Sequence, residues 1–207
     1  MNIDRLAVSL VVTALLSGCA TLNKSECREA DWQMIGLEDG AKGQPLTYVG
    51  EHRKACAEHG VTPDLEQYRL GHKAGLKRFC TPANGFRQGR AGRSYNDVCP
   101  AELEGRFLAG YDTGRELHDL KSEIDHMLRE ARTADAERTA LEQKLQNVET
   151  MLVSGVMSAS DRQALLDEFK KMQTRHATLE VYITDLEIGA ARMQGEYDFL
   201  DSGHGYY

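Results

Sequence analysis

The chain has 207 residues, with 25 Lys+Arg against 32 Asp+Glu and a net charge of −7. That length holds one domain, or one domain with an extension, and the negative balance excludes a nucleic-acid binder, which needs clustered Lys and Arg. Aromatic residues make up only 7% and cysteines number five, so thin helical packing is expected, and the odd thiol needs its own explanation in an oxidising compartment.

The first element is a short apolar run, Leu6 to Leu16, behind Arg5. At 11 residues it is too short to span a bilayer, which takes about 20, and it fits the core of a signal peptide. Leu16-Ser17-Gly18-Cys19 follows, and small residues closing such a run before a cysteine resemble the lipobox of bacterial lipoproteins. The resemblance implies a signal peptide over residues 1–18, cleavage before Cys19, and acyl chains on Cys19 that hold the protein on a membrane. Ala20 rather than Asp after the cysteine resembles the sorting pattern for the outer membrane of a Gram-negative bacterium. The mature chain then faces the periplasm, and residues 19–26 form a linker.

Four cysteines remain: Cys27, Cys56, Cys80 and Cys99. In the periplasm four thiols read as two disulfides, with three possible pairings. Cys27–Cys56 is preferred because it joins neighbouring ends of adjacent antiparallel helices. Cys80–Cys99 is preferred because it closes the loop between a third and a fourth helix. His52, Cys56 and His59, with His72 and Cys80, offer metal-ligand types, but tight Cys-x₂₋₄-Cys pairs are absent. No metal and no cofactor are expected.

Helices are predicted near 31–43, 46–58 and 64–80, and from 100 onward, with Pro63-Asp64 opening the third. Three aromatics each precede two glycines spaced four apart: Trp32 with Gly36 and Gly40, Tyr68 with Gly71 and Gly75, Phe107 with Gly110 and Gly114. Each glycine costs a helix about 1 kcal/mol relative to Ala. Six of them in register predict smooth helix faces that let backbones approach closely, covered by the aromatics. Between Cys80 and Cys99 a glycine-rich loop is expected, turning at Asn84-Gly85 and carrying Arg87, Arg90 and Arg93 over residues 85–93. Such arginines suit a lipid phosphate or an envelope glycan carboxylate, as in lipopolysaccharide or peptidoglycan. The loop has no P-loop and no dinucleotide fingerprint.

Asp31-Trp32, Gly36, Asp39-Gly40, His52, Cys56, Pro63-Asp64, Tyr68, Gly71, Gly75, Phe79-Cys80, Asn84-Gly85, Tyr95 and Val98-Cys99-Pro100 together resemble the domain-of-unknown-function 2799 family of proteobacterial lipoproteins. The resemblance covers residues 27 to about 118. It implies a periplasmic lipoprotein and lends no activity.

From Leu117 the pattern changes to heptads. Apolar residues step by three and four from Leu117 to Leu152 and again from Leu165 to Leu200. Two matched runs predict an antiparallel helical hairpin, with facing positions whose numbers add to 317. Gly155 stops the first arm, Ser160 and Gln163 form a capping box for the second, and Val156 and Met157 face outward at the tip as a partner contact. Arg138 and His176 are the polar seam entries. The expected fold is therefore all-α: a disulfide-stapled, Gly-rich helical head over 27–116, an antiparallel coiled-coil hairpin over 117–200, and a flexible tail over 201–207.

Charge follows this division. Residues 19–100 hold 12 basic and 10 acidic side chains, and residues 101–207 hold 12 and 21. A lipid-anchored structural or interaction protein presenting its hairpin to a periplasmic partner is the leading expectation. A binding module working through the arginine loop is the alternative. A cell-wall enzyme ranks last: there is no G-x-S-x-G and no H-E-x-x-H, and Asp31, Glu38 and Asp39 with nearby His52 make only a loose acid-base set.

Overall fold

The computed structural model describes residues 22–203, so Cys19 and the tail from His204 lie outside the described residues. Within them the chain forms seven α-helices, one 3₁₀ turn and no strand. It divides into two compact units, one ending at Phe79 and one beginning at Cys80.

The first unit contains α1 (Lys24–Arg28), α2 (Trp32–Ala41), the 3₁₀ turn Leu46–Tyr48, α3 (Val49–Ala57) and α4 (Leu65–Phe79). Helix α1 starts at a full capping box: Asn23 accepts from the backbone of Glu26, whose carboxylate accepts from the backbone of Asn23. Asp31 caps α2 by accepting from Met34 N, and Asp64 caps α4 by accepting from Glu66 and Gln67. Helices α2 and α4 pack on each other through glycine. A Cβ on Gly36 would overlap the carbonyl oxygen of Tyr68, and one on Gly71 that of Gln33. Gly40 and Gly75 repeat the contact one turn on, against His72 and Leu37. Cys27 is bonded to Cys56, with Cα atoms 5.5 Å apart. That bond pins α1 to α3 and sits in a core with Trp32 and Tyr68.

The second unit contains α5 (Pro82–Arg90), α6 (Ala101–Ser154) and α7 (Ala159–Gly203). Cys80 is bonded to Cys99, Cα atoms 5.7 Å apart. Half of the loop expected between these cysteines is the helix α5. Thr81 caps it by accepting from Asn84 N, and Pro82 occupies its first turn, where a missing N–H costs nothing. Asn84-Gly85 is therefore helical, and Gly85 with Gly89 forms a fourth spaced pair. It faces Gly110 and Gly114 of α6: a Cβ on Gly85 would overlap Phe107 O, and one on Gly110 would overlap Pro82 O.

Helix α6 runs unbroken through the boundary expected at 116/117, so the head's last helix and the hairpin's first arm are one element. It stops at Gly155, whose φ of 77° is left-handed and suits glycine. Helices α6 and α7 pack on each other as a hairpin. Ser158, not Ser160, opens α7, since its hydroxyl accepts from Asp161 N at 3.2 Å. Ile124, Ala131 and Ala134 of α6 and Leu179 and Ala190 of α7 are buried in the seam. Arg138 turns out of that seam to Asp135, which is the way a long cation leaves an apolar seam. The expected tail begins later than residue 201, because α7 continues to Gly203.

Candidate functional site

Three groups of residues invite a functional reading, and they differ in what solvent can reach. The first is a polar cluster inside the first unit. Asp39 projects from the Gly-packed face of α2 beside Gly40, and α3 and α4 bring His52 and Tyr68 to it. His52 Nε2 lies 2.7 Å from Asp39 Oδ2, and the Tyr68 hydroxyl donates to the same oxygen at 2.8 Å. Burial alone would raise the Asp39 carboxyl, but the hydrogen bonds and charge of His52, with the Tyr68 bond, outweigh it and hold the group below its ordinary 3.8. An ionised carboxylate only accepts, so His52 Nε2 carries the proton. The opposite nitrogen, Nδ1, is buried with no partner among the described residues. Burial and the neighbouring carboxylate push the Tyr68 phenol far up, so it stays a donor. All three side chains are buried. The network is therefore enclosed in the core together with its one unpartnered atom, His52 Nδ1, and presents no face open to a substrate.

Asp39 and His52 belonged to the loose acid-base set seen in the sequence, and the structure joins them. Asp31 and Glu38 stand apart, as a helix cap and as a surface partner of Lys42. Tyr68, the third member, was singled out only as an aromatic before glycines. Four of the possible metal ligands are otherwise engaged: Cys56 and Cys80 are in disulfides, His52 Nε2 is on Asp39, and His72 Nε2 lies 2.7 Å from the carbonyl of Gln44.

The second group is Arg87, Arg90 and Arg93. They lie on and just past α5 rather than in a loop. Arg90 points inward to α7: it donates to Asp201 Oδ1 at 2.7 Å and to the Tyr197 hydroxyl at 2.9 Å. Its guanidinium also lies over the rings of Phe86 and Tyr197. It works as a clasp that fixes the last turns of α7. Arg87 donates to Asn84 and Arg93 to Gln88, so the three cations do not converge on one point.

The third group is the outer surface of the hairpin. At the tip Val153 and Val156 face outward, whereas Met157 is half-buried. Ala134 and Leu179 line an open groove of about 630 Å³ between the two arms. Cross-arm bonds from Arg175 to Glu137 at 2.8 Å and from Tyr182 to Glu130 at 3.3 Å rim it. Farther along α7, Val181, Ile188 and Phe199 are 62, 64 and 77% exposed. Their spacing of seven and eleven residues makes five full turns, so they share one line. Val181 and Ile188 lie two residues, about 200°, from buried Leu179 and Ala190, on the far side of the helix from the seam. Heptad reading finds a seam and has no signal for a second line behind it, so these residues were missed.

Residues 31–116 match the family model described as a protein of unknown function (DUF2799). The matched stretch begins at the Asp31 cap and ends two residues after Gly114, so it takes in both glycine-packed helix pairs and leaves most of the hairpin outside. No curated protein and no solved structure matches the chain.

Proposed function

We propose that the chain is a lipid-anchored interaction protein of the periplasm. It is held on the outer membrane by acyl chains on Cys19 and presents its hairpin to a helix of an envelope partner. The observation that carries this reading is the line Val181, Ile188 and Phe199, apolar and outward on a helix whose other side already fills the seam. A packed hairpin needs one apolar stripe per arm, and a second stripe is the signature of a helix that receives another helix. The opening Leu6–Leu16 run and the Cys19 motif support the anchor and the compartment.

The test is affinity purification of the native protein after gentle cross-linking, compared with an Ile188→Asp, Phe199→Asp variant. The reading expects diacylglycerol mass on the Cys19 peptide and an envelope protein that co-purifies with the native chain. The variant should lose that protein while its circular dichroism stays helical. An unmodified Cys19, or a partner retained by the variant, counts against it.

A further inference from the structure

Helix α4 has a second face that the glycine packing leaves unoccupied. Gly71 and Gly75 press against α2. Lys73 lies two residues from each of them, and Lys77 two residues beyond Gly75, so both are on the far side of the helix. Glu66, Leu70, Lys73 and Lys77 follow at steps of four, three and four along this outer line, and Arg69 flanks it. The helix carries Arg69, Lys73, Lys77 and Arg78 against Glu66, a balance of +3. By contrast α7 carries five basic and nine acidic side chains, −4. All four cations of α4 are exposed, and among the described residues no ion pair joins them to an acid. Leu70 stands exposed between Arg69 and Lys73 at 54%, Leu65 stands exposed at the start of the helix at 50%, and a shallow depression joins the two leucines to Glu66, Arg69 and Lys73.

We infer that the outer face of α4 lies on the anionic headgroup layer of the membrane to which the chain is tethered. The inference rests on the Cys19 anchor of the proposed function. Two features select a lipid surface as the occupant. The first is charge: exposed cations interleaved with leucines form a basic amphipathic face, which lies on anionic lipid with its apolar side chains at the boundary. The second is reach. Cys27, fixed to α3 by its disulfide, is eight residues after Cys19, and eight extended residues span at most about 28 Å. A tether that short gives the first unit a high effective concentration at the bilayer, so a few cations suffice.

The experiment uses the acylated protein reconstituted in vesicles of phosphatidylethanolamine, alone or mixed with phosphatidylglycerol. Lysine acetylation by an amine-reactive ester is read at each site by mass spectrometry. Labelling of Lys73 and Lys77 should fall several-fold in the anionic vesicles and recover at high salt, while Lys170 and Lys171 on α7 stay unchanged. Equal labelling of Lys73 and Lys77 in the two vesicles overturns the inference, and so does protection by peptidoglycan fragments in place of vesicles.

The mass of the Cys19 peptide decides the anchor separately. If that peptide is unmodified, the full chain mixed with the same vesicles still tests the face. There a Lys73→Gln, Lys77→Gln variant should partition about 30-fold more weakly into anionic vesicles, equivalent to ~1 kcal/mol per lysine. Equal partitioning of variant and parent overturns the inference as well.

Discussion

The two units use one packing scheme twice. Gly36 and Gly40 meet the α4 backbone as Gly85 and Gly89 meet the α6 backbone, and Gly71 and Gly75 meet α2 as Gly110 and Gly114 meet α5. Counterparts lie 49 residues apart on the first helix of each pair and 39 apart on the second. The correspondence extends to the turn after each first helix. Gly43, with φ +74°, faces the ring of Phe79, and Gly92, with φ +69°, faces the ring of His118. Both positions combine a left-handed backbone with a close ring, and a side chain meets both obstacles at once.

What differs between the pairs is what surrounds the shared scaffold. Asp39 corresponds to Gln88, and Tyr68 to Phe107, so the buried carboxylate network belongs to the first unit alone. Ala41 corresponds to Arg90, so the clasp on Tyr197 and Asp201 belongs to the second. The second helix of the first pair ends at Phe79, whereas its counterpart continues to Ser154. One copy is closed on itself and the other is drawn out into a hairpin. The comparison teaches that glycine contacts set the backbone approach, and a few side chains decide what each copy does with it.

The strongest way to break this comparison is to fill a contact in one copy. Gly71→Ala should destabilise α2 and α4 by about 3 kcal/mol, the upper range for overpacking, because its methyl meets backbone rather than a movable side chain. Gly110→Ala should do the same to α5 and the start of α6. Local hydrogen exchange distinguishes the pairs. If either change lowers protection equally everywhere, the two pairs do not act as separate units. Gly50→Ala, with nothing near its Cβ, is the control and should be neutral or stabilising.

A smaller effect separates the two interiors. Asp39→Asn should cost about 2 kcal/mol near neutral pH, as expected when a charged hydrogen-bond acceptor is lost, while Gln88→Ala should cost under about 0.5 kcal/mol. The Asp39 carboxyl is depressed in the folded chain, so its contribution is present above the ordinary 3.8 and is lost as pH falls through the folded value. The gap between native and Asp39→Asn stability should therefore close in acid. A gap that persists well below pH 3.8 would mean the carboxylate charge is not what holds the cluster. Smaller than the Asp39 effect is Arg90→Ala, about 1 kcal/mol for a partly exposed pair with ring contacts. Its loss of exchange protection should be confined to the turns around Tyr197 and Asp201, and a loss spread over the whole hairpin would contradict the clasp.

Much of this architecture is legible in the amino-acid sequence. Helix ends were marked by Pro63-Asp64 and Gly155, and the seam by heptads from Leu117. The cysteine pairing followed from where each thiol sat along its helix. The failures share a cause. Helix α5 was hidden because Pro82, Asn84, Gly85 and Gly89 read locally as turn residues, and only the opposing glycines of α6 make them helical. The Asp39 cluster was half seen, since Asp39 and His52 are 13 residues apart but Tyr68 arrives from a helix 29 residues away. The basic face of α4 was passed over, because Arg69, Lys73 and Lys77 at helical spacing read as an ordinary solvated helix face. The outward line on α7 repeats at seven residues from Val181 to Ile188 but lies off the seam positions, where a search for one apolar stripe does not look.

The central claim is that the hairpin's outward line, rather than its tip, meets the partner. A photo-cross-linking residue placed at Ile188 in cells tests it most directly, with Val156 as the tip comparison and Lys170 as a charged position on α7. The account predicts a discrete cross-linked envelope protein from Ile188 and none from Lys170. A silent Ile188, with an adduct from Val156 instead, would contradict it.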